Sequence, residues 1–247
     1  MDDSEVADHV AERLAAIRGV EAVALGGSRA AGTHHPGSDW DFGLYYRGDL
    51  DTDAIRSIGW DGTVFEPGAW GGGVFNGGAW LSVDGRKVDI VYRDLDDVER
   101  RCREARDGVF EVQRLMFYVA GIPTYVVVGE LALNDVLVGE LPHPEYPVAL
   151  AEAASKRWHG DALMTLEYAR RSFTSRADVV ATAAHCGRAI LEEAHSRCAA
   201  RREWVLNEKG LVGRAGLEDL GRIVASLGTS AAELTHATDL IERELAR

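Results

Sequence analysis

Residues 25–46, LGGSRAAGTHHPGSDWDFGLYY, constrain this chain more than any other stretch. An apolar run over 20–25 stops at Gly26 and Gly27, and a loop containing Pro36 and Gly37 follows. Residues 39–46 then alternate. Trp40, Phe42, Leu44 and Tyr46 fall on one side, and Asp39, Asp41, Gly43 and Tyr45 on the other. A period of two is the mark of a half-buried strand. Its rise of about 3.3 Å per residue sets the two aspartates roughly 6–7 Å apart on one face. Two unpaired carboxylates this close repel, and partial burial worsens the repulsion. A divalent cation resolves the conflict, and magnesium prefers hard oxygen ligands supplemented by water and substrate phosphate. Asp89 lies among Val88, Ile90 and Val91 in a second strand expected over 87–92. It is the third carboxylate that would complete a site for two metal ions.

The turn before these acids suits a phosphate. Gly26 and Gly27 let a ligand approach the backbone closely. A helical turn starting at Ser28 offers free N–H groups, and the Ser28 hydroxyl and Arg29 guanidinium add donors. The layout is one for a nucleoside triphosphate and magnesium. It is neither a Walker loop, since no GK[ST] follows, nor a dinucleotide fingerprint, since G-x-G-x-x-G is missing. His34 and His35 read as loop residues.

The balance of charge narrows the partners. The chain has 247 residues and a net charge of -13. That argues against a nucleic-acid-binding face, which needs clustered Lys and Arg, and suits a cationic small substrate. Lysine is confined to Lys87, Lys156 and Lys209. Cys102, Cys186 and Cys198 form no CxxC and are expected as reduced thiols. No apolar run reaches the roughly 18 residues of a membrane span, and the acidic start MDDSEVADHVAERL has no apolar signal core, so a cytoplasmic location is expected.

Around the central stretch the pattern predicts helix over 4–18 with Ser4 as cap, strand over 20–25, helix over 51–58, strands over 62–66 and 80–83, a hairpin at 83–87, and a charged helix over 94–106. Between the middle strands lies EPGAWGGGVFNGGAW, expected as a shaped loop beside a pocket. The apolar runs of 108–140 favour helix. Three prolines in 141–147 mark a linker, and helices are expected over 148–172, 176–200, 216–226 and 230–246, the last with Ser230 and Glu233 as a capping box. The fold class is therefore α+β: a mixed sheet with flanking helices over 1–141, its core at about 5–108, followed by an α-helical bundle over 142–247.

Gly-Gly-Ser, then about ten residues, then Asp-x-Asp with a later strand acid resembles the DNA polymerase β-like nucleotidyltransferase superfamily over residues 5–95. The motif stands here as Gly26, Gly27, Ser28, Asp39, Asp41 and Asp89. A mixed sheet followed by a helical domain looks most like the antibiotic nucleotidyltransferases. The resemblance implies transfer of a nucleoside monophosphate, AMP from ATP or its counterpart from another nucleoside triphosphate, to a hydroxyl of a small molecule. It implies two Mg2+ ions on Asp39 and Asp41, with Asp89 completing the second site or taking the acceptor proton. Residues 185–188 and 204–210 look like the helix and turn that contact triphosphate, which gives Arg188 and Lys209 as phosphate-binding residues. His185 reads as a core histidine, and Glu130, Glu192 and Glu193 are available as bases. Two alternatives remain open: a toxin-type enzyme that modifies transfer RNA or a protein, and a non-catalytic nucleotide-binding protein.

Overall fold

The computed structural model of the chain describes residues 2–246. The chain divides into two compact units. One holds the residues up to Arg103 together with Thr124–Glu145, and the other holds Glu104–Pro123 and the residues from Tyr146 onward.

The first unit opens with α1 (Asp3–Ala15), β1 (Val20–Leu25), the single turn α2 (Gly27–Ala30), β2 (Trp40–Tyr46), α3 (Thr52–Ser57), β3 (Asp61–Val64), β4 (Gly78–Val83) and β5 (Arg86–Asp94), followed by α4 (Leu95–Arg106). This is the order the periodicity predicts. Val6, Val10 and Leu14 of α1 are fully buried, as helical spacing requires. The cap, however, is Asp2 and not Ser4: Asp2 accepts from the Glu5 amide at 2.9 Å, and Glu5 accepts from the Asp2 amide at 2.7 Å. This reciprocal pair satisfies two amides that the helix cannot.

The apolar runs of 108–140 depart from the expected helices. They give the two-residue ladder of β6 (Val112–Gln113) and β7 (Ile122–Pro123) in the second unit, then α5 (Val126–Leu133) and the strand β8 (Asp135–Val138) in the first. Only α5 is helical. β8 finds the free edge of β1, where its backbone groups pair.

The sheet runs β3-β4-β5-β2-β1-β8. All neighbours are antiparallel except β2 and β5, which pair in parallel. One face is a core in which Val23, Phe42, Leu44, Val88, Ile90, Leu81 and Val83 pack with Val10, Leu14 and Ile55 of the helices. The opposite face carries a buried polar group at one end. There Tyr45 and Arg93 stand opposite each other on β2 and β5, and Glu130 of α5 receives Arg93 Nε and Nη2 at 2.6 Å each. The Tyr45 hydroxyl accepts from Asn134 Nδ2 at 3.2 Å. Burial, then the Glu130 charge, pushes the Tyr45 phenol well above its ordinary range, so it stays a neutral hydroxyl.

The second unit is built by α6 (Val148–Ser172), α7 (Val179–Ala200), α8 (Leu211–Arg214), α9 (Glu218–Ala225) and α10 (Ala231–Leu245). Small residues at the seam, among them Ala162, Cys186, Ala189, Ala194 and Cys198, are fully buried and let the helices approach closely. Ser230 and Glu233 form the expected capping box. The three cysteines are buried, and none forms a disulfide. No helix among the described residues is long and apolar enough to cross a membrane.

Arg93 is 3% exposed and Glu130 is 17% exposed. Breaking such a pair leaves a charge without compensation in a poor solvent, so Glu130→Ala is expected to lower stability by about 3–5 kcal/mol. Denaturant unfolding reads that loss. Replacing Arg93 and Glu130 together with apolar residues of similar volume is expected to recover most of it.

Candidate active site

Parallel pairing of β2 with β5 decides where the acids go. The register sets Asp41 directly opposite Asp89, with Trp40 against Val88 and Phe42 against Ile90. Opposed residues project to the same face, and neighbouring strands lie about 4.8 Å apart. Trp40, Phe42, Val88 and Ile90 occupy the core, so Asp41 and Asp89 stand on the other face, at the end away from Tyr45 and Arg93. Asp39 precedes β2 by one residue and is partly buried, as are Asp41 and Asp89. Two unit charges at the inter-strand spacing repel by about 3 kcal/mol at an effective dielectric near 20. The Asp89 carboxyl is shifted in its setting. Burial first, then the Asp39 charge, raise it above the usual carboxylate range, against a lowering by Lys87.

The glycine turn is built onto Asp41. The Gly26 amide donates to the Asp41 carbonyl at 2.7 Å, which carries the β1–β2 ladder one residue past the strand end. Gly27 has φ of 63°, a left-handed conformation that glycine adopts without strain. A Cβ at Gly27 would overlap the Asp41 carboxylate. The bare backbone at Gly27 is therefore what lets the turn and the acid share this space. Ser28 follows in α2 and is partly buried.

Arg29 is engaged on the other side of β2. Its guanidinium lies 3.8 Å from the centroid of the Trp40 ring, donates to Asp3 at 2.9 Å, and donates to the Ser38 carbonyl at 3.1 Å. Since Trp40 faces the core, these contacts tie the turn to α1 and to the loop before β2. His34 and His35 are exposed in that loop.

The expected residues of the helical part lie in the second unit. Arg188 donates to Glu192 at 2.8 Å. Lys209 is exposed, and its amide donates to Asn207 Oδ1 at 2.9 Å. His185 is partly buried between the Tyr168 and Phe173 rings. Glu192 is fully buried and also accepts from the Thr165 hydroxyl at 2.7 Å, while Glu193 is held by His159 at 2.7 Å. Glu130 is the partner of Arg93. All three glutamates are thus occupied by neighbours within their own units.

Asp39, Asp41 and Asp89 offer only hard oxygen donors, and their mutual repulsion favours a cation among them. Among the described residues, no three His, Cys, Asp or Glu side chains converge into a group that could hold a metal ion. The oxygen chemistry of the three acids suits a hard cation that takes most of its shell from water and substrate, as magnesium does. Gly27→Ala places a side chain in a left-handed conformation and against Asp41. It is expected to cost about 1–3 kcal/mol of stability, read by thermal unfolding, and to displace the Asp41 carboxyl signal in a carbon-13 spectrum.

Residues 7–108 match the family model described as "Nucleotidyltransferase domain". No curated protein matches the chain. Among solved structures, the nucleotidyltransferase-like protein from Exiguobacterium sibiricum 255-15 is similar at a TM-score of 0.44 and 12% identity, over 95% of this chain and 71% of that one. The matched segment runs from α1 through α4 and contains the glycine turn and all three aspartates. Over residues 7–108 this chain is thus similar to nucleotidyltransferase domains of the DNA polymerase β-like type.

Proposed function

We propose that the domain transfers a nucleoside monophosphate, AMP from ATP, to a hydroxyl of a small molecule and releases pyrophosphate. One observation carries this reading: Asp41 and Asp89 are paired across β2 and β5 in register, with Gly27 packed against Asp41. A nucleotidyltransferase domain requires a nucleotide, and the turn beside the acids is where its phosphates fit best.

In this reading Gly26, Gly27 and Ser28 hold the triphosphate through backbone amides and the Ser28 hydroxyl. Arg29 positions that turn through Trp40 and Asp3. Asp39, Asp41 and Asp89 would hold magnesium, which when bound withdraws charge from the phosphate oxygens. The acceptor oxygen attacks the α-phosphorus and forms one P–O bond, and the P–O bond to pyrophosphate breaks. Asp89 would either complete the second cation site or take the proton that the acceptor hydroxyl loses. The net charge of -13 favours approach of a cationic acceptor and opposes a polyanionic one.

The test follows pyrophosphate while the protein is incubated with each nucleoside triphosphate, magnesium and a panel of small hydroxyl compounds. Release is expected with a small acceptor. Asp39→Asn and Asp41→Asn are each expected to reduce it by about a hundredfold or more, and chelation with EDTA should abolish it. Release that survives both substitutions would contradict the assignment of the acids. Release only on addition of RNA or protein would transfer the activity to a macromolecular acceptor.

A further inference from the structure

The same register that pairs the acids continues across the sheet. Asp89 stands opposite Trp80 of β4, and Trp80 stands opposite Thr63 of β3. Asp41, Asp89, Trp80 and Thr63 thus form one row on one face. Ala79, Leu81 and Val83 take the core face of β4, which leaves Trp80 and Ser82 on the face of the acids. Trp80 is 52% exposed, although a large indole in a strand would ordinarily be covered.

Trp80 belongs to a built aromatic group. Its ring stacks on Trp70 at 5.7 Å with an interplanar angle of 27°. Phe65 meets both rings edge-on, at 4.8 Å from Trp80 and 5.6 Å from Trp70. The loop that brings Trp70 back is pinned at several points. The Gly68 amide donates to the Asn76 carbonyl at 2.6 Å, and the Phe65 amide to the Gly78 carbonyl at 2.9 Å. Arg93 donates to the Val74 carbonyl at 2.5 Å, and Glu66 is held by Arg56 at 2.6 Å and by the Thr52 hydroxyl at 2.7 Å. A Cβ at Gly78 would overlap the Ile90 carbonyl and come within 2.6 Å of the Trp70 ring, so the missing side chain is what seats that indole on the strand. The group is preformed, and half of Trp80 still faces solvent.

The order of strands gives this platform a direction. The glycine turn leaves β1, which borders β2 on one side. Trp80 lies beyond β5 on the other side. The three acids therefore stand between the phosphate turn and the aromatic rings. At about 4.8 Å per strand, Trp80 is roughly 10 Å from Asp41 and one strand from Asp89. A donor whose phosphates occupy the turn leaves the opposite side of the acids to the group that receives the nucleotide.

We infer that Trp80, supported by Trp70 and Phe65, is the acceptor-specificity platform of this domain: a small ring-bearing hydroxyl compound lays the face of its ring on the Trp80 indole, with its reacting hydroxyl toward Asp89. The inference rests on the nucleotidyl-transfer reading. The indole face attracts apolar ring surface and positive charge, and the neighbouring acids add to the attraction for a cationic ring.

The test uses the full chain with the small acceptor that supports pyrophosphate release. Trp80→Ala is expected to raise the KM for that acceptor by roughly tenfold and to leave the KM for the nucleotide in place, while Trp80→Phe retains most of the acceptor binding. A rise confined to the nucleotide KM would show that the nucleobase occupies the platform and would overturn the inference, as would two unchanged KM values. Should no compound support release in the wild type, the transfer reading fails and the platform is judged by binding alone. The Trp80 indole N–H signal, assigned by its loss in Trp80→Phe, is then followed on titration with glucosamine, a ring with hydroxyls and one positive charge. A saturable shift upholds the platform, and no shift overturns it.

Discussion

The parallel pairing of β2 with β5 is the constraint on which the rest depends. It sets Asp41 against Asp89 and Tyr45 against Arg93 on one face. The two ends of that face then receive opposite treatment. At the Tyr45 end, Glu130 neutralises Arg93 and burial keeps Tyr45 a neutral hydroxyl. At the acid end, Asp39, Asp41 and Asp89 stay partly exposed. Apolar packing on the other face holds the register in place. A slip of one residue would bury Asp41 and Asp89 and expose Phe42 and Ile90, at a cost far above the repulsion between the acids.

That repulsion is what the site is organised to use. Folding tolerates a few kcal/mol of electrostatic cost when a core of this size stabilises the same strands. In the proposed reading, a cation and a nucleotide bound later would recover it as binding free energy. Gly27 contributes by leaving room for the Asp41 carboxylate, and Arg29 contributes from the far side by stacking on Trp40. Turn, strand and core are thus linked through a few residues, and the polar function draws its precision from apolar contacts behind it.

Much of this was legible in the sequence, because alternation reports directly on strand faces. Trp40, Phe42 and Leu44 against Asp39 and Asp41 give the orientation of β2, and Val88 and Ile90 against Asp89 give that of β5. Helical spacing gives α1, α6 and α10. The opposition of Asp89 to Trp80 follows from the tight turn at Asp84–Gly85. Pairing of β2 with β5 is not local, so the opposition of Asp41 to Asp89 had no sequence signal. The same holds for Arg29, whose charge pointed to phosphate while its tertiary partners are Trp40 and Asp3. The apolar run that becomes β8 could not be told from helix, because a short apolar segment takes its form from the edge it meets. Glu130 read as an available base, and only the fold brings Arg93 to it.

Asp39, Asp41 and Asp89 are proposed to form one cation site that a nucleotide completes. Titration with Mn2+ followed by electron paramagnetic resonance, with and without a non-hydrolysable ATP analogue, tests it most directly. The account predicts saturable Mn2+ binding that the analogue tightens and that the double substitution of Asp41 and Asp89 to Asn removes, with the fold intact by circular dichroism. Mn2+ binding of equal strength in wild type and double variant, or none in either with the analogue present, would contradict it.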